Sequence, residues 1–160
     1  MTRRVSLSNV LHCGVWLAGM LCCTLTIAAE FPPVPGPDAK PFAQAHIVLQ
    51  LSDGEEAVQS RVLNVANNLV KYYGGPDRVD LEIVAFGPGI SLLFADSGQA
   101  QRVSSLAASG VRFIACMNTV DTLERTTGTR PKLNPLALPV RAGVAHIVER
   151  STQGYVIVRP

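Results

Sequence analysis

The chain has 160 residues, enough for one domain or one domain plus a tail, and at 48% hydrophobic and 16% charged residues it is too apolar for a disordered polymer. Arg3 and Arg4 are the only charges among the first 29 residues, and the 12 Lys/Arg beyond them balance 12 Asp/Glu. A neutral body offers no basic footprint for nucleic acid, and the composition also argues against a coiled coil, a repeat array and a disulfide scaffold.

Residues 1–29 read as an address rather than as part of the fold. The two arginines give a positive start, residues 15–23 an apolar run, and Thr26-Ile27-Ala28-Ala29 a small-residue ending. This is the layout of a secretory signal peptide, which implies a periplasmic or secreted protein with no membrane attachment once the leader is cleaved. The uncharged stretch is also long enough to serve as an uncleaved anchor. Cleavage removes Cys13, Cys22 and Cys23 and leaves Cys116 as the single cysteine. A lone thiol in an exported protein is either buried and inert or free and reactive.

Residues 30–43 carry five prolines and read as an extended linker. Residues 44–160 form the domain. The apolar, β-branched run 45–51 predicts a strand, closed by Ser52-Asp53-Gly54. A helix follows from about Glu55, with Val58, Val62, Val65, Ala66, Leu69 and Tyr73 on one face and Gly74-Gly75-Pro76 as its stop. Residues 79–86 form a second strand, ended by the turn Gly87-Pro88-Gly89, with a short apolar segment at 90–94.

A second helix is predicted over 98–109, a third strand over 111–116 and a short helix over 118–125. Residues 126–139, broken by Gly128, Pro131, Pro135 and Pro139, read as loop. A last helix covers 142–153, with Val144, Ile147 and Val148 inward, and a final strand covers 155–158. Strands alternating with helices predict an α/β fold, a three-layer α/β/α arrangement around a mostly parallel sheet. In such sheets the functional crevice lies beyond the carboxyl ends of the strands.

That rule gathers Asp53, Gly87, Gly89, Cys116, Asn118 and Thr119 at one edge. Cys116 is the strong nucleophile of the set. Asn118 or Thr119 suits the N-cap of the next helix, whose amino terminus favours negative charge, and the thiolate is the attacking form in sulfur chemistry. The plainer reading of Cys116 is a space-filling core residue. Gly87 and Gly89 serve a ligand approached by backbone or simply a tight turn, and Asp53 serves as an acid or as a turn residue. His46 starts a strand, at the wrong edge, and His146 sits beside core positions. No spacing suits a metal, and no nucleophile elbow or Walker loop is present.

Four segments, A-H-I-V-L-Q-L-S-D-G at 45–54, L-E-I-V-A-F-G-P-G at 81–89, G-V-R-F-I-A-C-M-N-T at 110–119 and G-V-A-H-I-V-E-R-S-T-Q-G-Y-V-I-V-R-P at 143–160, together resemble the DsrE/DsrF-like family. The resemblance implies a sheet of about five strands, association into trimers or hexamers, and a link to sulfur metabolism with no cofactor. It implies that a cysteine in the place of Cys116 accepts a persulfide sulfur from a donor protein and passes it to an acceptor. The chain departs from the family in its leader, in having Arg125 and Gly128 where an Arg-Gly closer to the cysteine is common, and in Phe86 where a histidine is common. The expectation is an exported sulfur-relay protein. The alternative is a non-catalytic oligomeric binding or assembly module with a buried structural cysteine, and a weaker third reading is monothiol exchange with a small disulfide.

Overall fold

The computed structural model describes residues 31–160; the predicted leader lies outside the described residues. Five strands, β1 (Ala45–Leu51), β2 (Val79–Ala85), β3 (Arg112–Cys116), β4 (Ala137–Val140) and β5 (Val156–Val158), form one wholly parallel sheet in the order β4-β3-β2-β1-β5. Four α-helices connect them: α1 (Glu56–Tyr72), α2 (Ala100–Ala108), α3 (Met117–Thr127) and α4 (Gly143–Thr152). The predicted α/β class is the observed one.

The chain steps from β1 to β4 in one direction and then crosses back to place β5 beyond β1. With right-handed crossovers, that reversal puts α4 on the face opposite α1 and α2. The side chains divide accordingly. Leu49, Leu51, Leu81, Ile83, Ala85 and Phe113 join the large core under α1 and α2. Val48, Val84, Ile114, Ile147 and Tyr155 form a second, smaller core under α4.

Residues 126–139 are not all loop, because β4 occupies Ala137–Val140 and pairs with β3. Proline is tolerated there since an edge strand leaves one row of backbone groups unpaired. The short apolar segment after β2 is a 3-10 helix, Gly87–Leu93. On α1, Val62 and Ala66 are buried as expected, but Leu63 and Val70 join them, while Val58, Val65, Leu69 and Tyr73 are only half-buried.

The largest correction concerns α4. Val144 and Val148 face outward at 56% and 57% exposure, and the buried face is Gly143, His146, Ile147 and Arg150. The reason lies in β2, where Asp80 and Glu82 are fully buried and require partners. Helix α4 turns its polar residues toward those charges.

Residues 31–35 are a docked strap rather than a free tether. Phe31 packs against the larger core and Val34 against the smaller. Arg150 Nη2 donates to the carbonyls of Val34 (3.3 Å) and Pro35 (2.7 Å). Further along, Lys40 Nζ donates to the carbonyls of Pro76, Val79 and Gly110 at 2.8–3.1 Å and fastens the segment to the amino-terminal edge of the sheet.

Candidate functional site

Strand β3 delivers Cys116 to the carboxyl edge of the sheet, opposite Val140 of β4. Cys116 is 6% exposed and is itself the N-cap of α3, with extended backbone angles (φ −75°, ψ 108°). Asn118 and Thr119 therefore lie within the first turn of α3 and do not cap it. No side-chain hydrogen bond caps either α3 or α4.

The start of α4 sits over the same cysteine. A Cβ placed on Gly143 would lie 3.1 Å from Cys116 Cβ and 3.4 Å from atoms of Phe86 and Val84. A side chain at Gly143 would crowd the cysteine by a few tenths of an ångström, so glycine suits this close approach. Asn118 N–H donates to Arg141 O at 3.0 Å and ties the two helix starts together. The starts of α3 and α4 thus meet at Cys116.

The other residues expected at this edge have separate local jobs. Thr119 Oγ1 accepts from Gly87 N–H at 3.0 Å, so β2's turn and α3 are joined by that bond. Gly87 uses a left-handed φ of 52°, open to glycine at low cost. Thr119→Val should remove about 1 kcal/mol of stability, read as a lower denaturant midpoint at unchanged slope, by leaving that N–H without its partner. Asp53 is exposed, and its Oδ1 accepts from Glu55 N–H at 2.8 Å, an Asx-type turn leading into α1. Gly89 packs against the Leu51 backbone. Asp53 and Gly89 are thus turn and packing residues.

Two cavities border this edge. One, of about 470 Å³, is lined by Gly87, Pro88, Ile90, Ser91, Phe94, Thr119, Thr122 and Leu123. Its hydroxyls are already engaged: Ser91 with Pro88 O and Gln59, Thr119 with Gly87, and Thr122 with Asn118 O and Arg125. The other is a groove of about 680 Å³ between the strap (31–34), residues 139–142 and the side of α4, where His146, Glu149, Arg150 and Gln153 lie. Cys116 lines neither, but its strand partner Val140 is part of the groove wall.

Sequence reasoning missed the charged cluster beneath α4. Glu82 accepts from Arg112 Nη2 at 2.9 Å, from Arg150 Nε at 3.1 Å and from His146 Nε2 at 2.8 Å, and Arg150 Nη2 stands 2.8 Å from Oε1 as an ion pair. Burial opposes its ionisation, but the hydrogen bonds from His146 and Arg150 and the charge of Arg112 prevail and bring its pKa down to about 2. Asp80 contacts the Tyr155 hydroxyl through Oδ2. Its Oδ1 faces Arg112 Nη2 at 2.6 Å, a close ion pair that is not aligned as a hydrogen bond. Burial, and next the bond to Asp80, push the Tyr155 hydroxyl's pKa above its ordinary value. The signal for this cluster was present in the sequence, as two acids two residues apart in a strand otherwise apolar.

Among the described residues no group of side chains suits a metal ion, and no helix is long and apolar enough to cross a membrane. No family model matches the chain, and no curated protein matches it. A solved structure does: MTH1491 from Methanobacterium thermoautotrophicum, a protein of unknown function, is 32% identical with a TM-score of 0.65, over 72% of this chain and 99% of that one. With that identity across nearly the whole of MTH1491, and the same fold, the chain belongs to the same family as MTH1491.

Proposed function

We propose that this protein is an exported sulfur carrier, a DsrE/DsrF-like relay that holds sulfane sulfur as a persulfide on Cys116. The observation that carries the reading is the position of Cys116 at the carboxyl edge of a parallel sheet, where the starts of α3 and α4 converge. The leader-like sequence of residues 1–29 supports export, and the four resembling segments support the sulfur chemistry and a trimeric or hexameric assembly.

The transfer needs no cofactor. Cys116 thiolate attacks the outer sulfur of a donor persulfide, R–S–SH. The donor S–S bond breaks, R–S⁻ leaves, and a Cys116–S–SH persulfide forms without net oxidation. An acceptor thiolate then attacks the same outer sulfur and releases Cys116 as thiolate.

A second reading, a binding or assembly module with a structural cysteine, is favoured by the 6% exposure of Cys116 and by the outward Val144 and Val148. One experiment separates the two. The full chain is treated with inorganic polysulfide and its intact mass is measured. The carrier reading expects a gain of one sulfur that Cys116→Ser abolishes. Equal uptake by Cys116→Ser, or a native Cys116 that neither takes up sulfur nor reacts with iodoacetamide until unfolded, leaves the assembly module.

A further inference from the structure

Beyond the cysteine itself, one buried side chain presents an unused polar atom to a cavity. His146 is 7% exposed and lines the 680 Å³ groove. Its Nε2 stands 2.8 Å from Glu82 Oε2. Glu82 is fully buried and paired with Arg112 and Arg150, so it is an ionised acceptor, and the shared proton belongs to His146 Nε2. In the neutral ring Nδ1 then carries the lone pair. No described residue hydrogen-bonds that nitrogen.

A histidine fixed by a buried carboxylate, with its second nitrogen free at an opening, has the geometry of a general base. Its place relative to the cysteine is set by α4. Gly143 covers Cys116, and His146 follows three residues later on the same buried face, about 4.5 Å farther along the helix axis. The groove beside it has apolar walls, Phe31 and Val34 on one side and Val140 on the other. Its volume suits a small molecule rather than a folded partner.

The geometry points to His146 as the base that takes the proton from a low-molecular-weight acceptor thiol with an apolar body, held in this groove, with Glu82 as its positioning residue. The inference rests on the carrier reading above. In the step, R–SH gives its proton to His146 Nδ1 and R–S⁻ attacks the outer sulfur of Cys116–S–SH. The Cys116 S–S bond breaks as the R–S–S bond forms. His146 then gives its proton up to solvent, and the departing Cys116 thiolate is reprotonated from solvent. The products are R–S–SH and Cys116–SH, and no electron donor is consumed.

The test follows unloading in a single turnover. Full-length protein is loaded with inorganic polysulfide, the persulfide on each variant is counted by mass spectrometry, and benzyl mercaptan is added. Per persulfide carried, His146→Gln is expected to unload about a hundredfold more slowly, the scale of a lost general base. Imidazole added to His146→Ala should restore much of that loss, which a purely structural histidine does not allow. Unloading by His146→Gln at the wild-type rate, or His146→Ala that imidazole leaves unchanged, overturns the inference.

Should the variants fail to fold, the wild type decides. With His146 as base, benzyl mercaptan and the more acidic thiophenol react within about tenfold of one another, because the enzyme supplies the deprotonation. Rates ordered by thiolate fraction alone overturn the proposal. A wild type that takes up no sulfur removes the carrier reading and this inference together; loading without any role for His146 removes the inference alone.

Discussion

Glu82→Gln is expected to lower the melting temperature by roughly 10–15 °C, the consequence of losing about 3–5 kcal/mol when one member of a buried charged cluster is removed. Glutamine fills the same space and keeps an acceptor, so the loss is not one of packing. It comes from Arg112 and Arg150, which remain buried at 2.9 Å and 2.8 Å from a group that no longer carries charge. Arg112 then keeps only Asp80 as a counter-charge, and Arg150 keeps only neutral acceptors, the carbonyls of Val34 and Pro35 and the Gln153 amide.

The same residue sets an acid limit. Its folded pKa of about 2 lies below the ordinary 4.5. A depressed carboxylate contributes stability in full above its unfolded value and loses it as pH falls through the folded value. Glu82 therefore supports the fold completely above about pH 4.5 and ceases to do so as pH approaches 2, a change of roughly 3 kcal/mol. Denaturant melts from neutral pH downward should show the wild type weakening across this window and Glu82→Gln, already weakened, following a shallower slope. A variant as stable as the wild type at neutral pH, with the same acid slope, would show that the arginines do not depend on Glu82.

Most of the architecture could be read from local pattern. The run 45–51 and the run 79–86 are long, apolar and bounded by turn residues, and both strands fall within a residue of expectation. Strand β4 was hidden because its signal is four residues with Pro139 among them, and its strand character comes from pairing with β3 rather than from its own propensity. Helix α4 misled for a different reason. Its valines and its polar residues trace two stripes of the same helical period, and hydrophobicity alone chooses the valines. The choice reverses once Asp80 and Glu82 are seen to point at the same side of the sheet as α4, which is a fact of the topology.

The site divides in the same way. The place of Cys116 followed from the strand-edge rule, since it needs only the end of a strand and the start of a helix. The partners of that edge did not follow. Gly143 approaches Cys116 across 27 positions of chain, and His146 meets Glu82 across 64. The helical pattern around His146 gives its burial and is silent about its partner. In a buried setting the partner determines the chemistry.

Gly89→Ala should prevent stable folding, or cost about 3 kcal/mol or more, because the new methyl has no room. A Cβ at this position would lie 2.5 Å from Leu51 O, 2.8 Å from Leu51 C and 2.9 Å from Leu51 Cγ. Two of those atoms are backbone of a central strand, whose own position is fixed by pairing with β2 and β5. The strand cannot retreat without disturbing both ladders, and the 3-10 turn cannot rise without lifting Ile90, Leu92 and Leu93 out of the core. The glycine's role here is one of close approach, since its backbone angles are of the ordinary kind, with no positive φ. Gly98→Ala is the control: nothing lies within 4 Å of the added methyl, and its stability should stay within about 0.5 kcal/mol of the wild type. A Gly89→Ala protein that melts with the wild type would mean that the turn can move away from Leu51, returning Gly89 to the ligand-facing role that its place at the sheet edge first suggested.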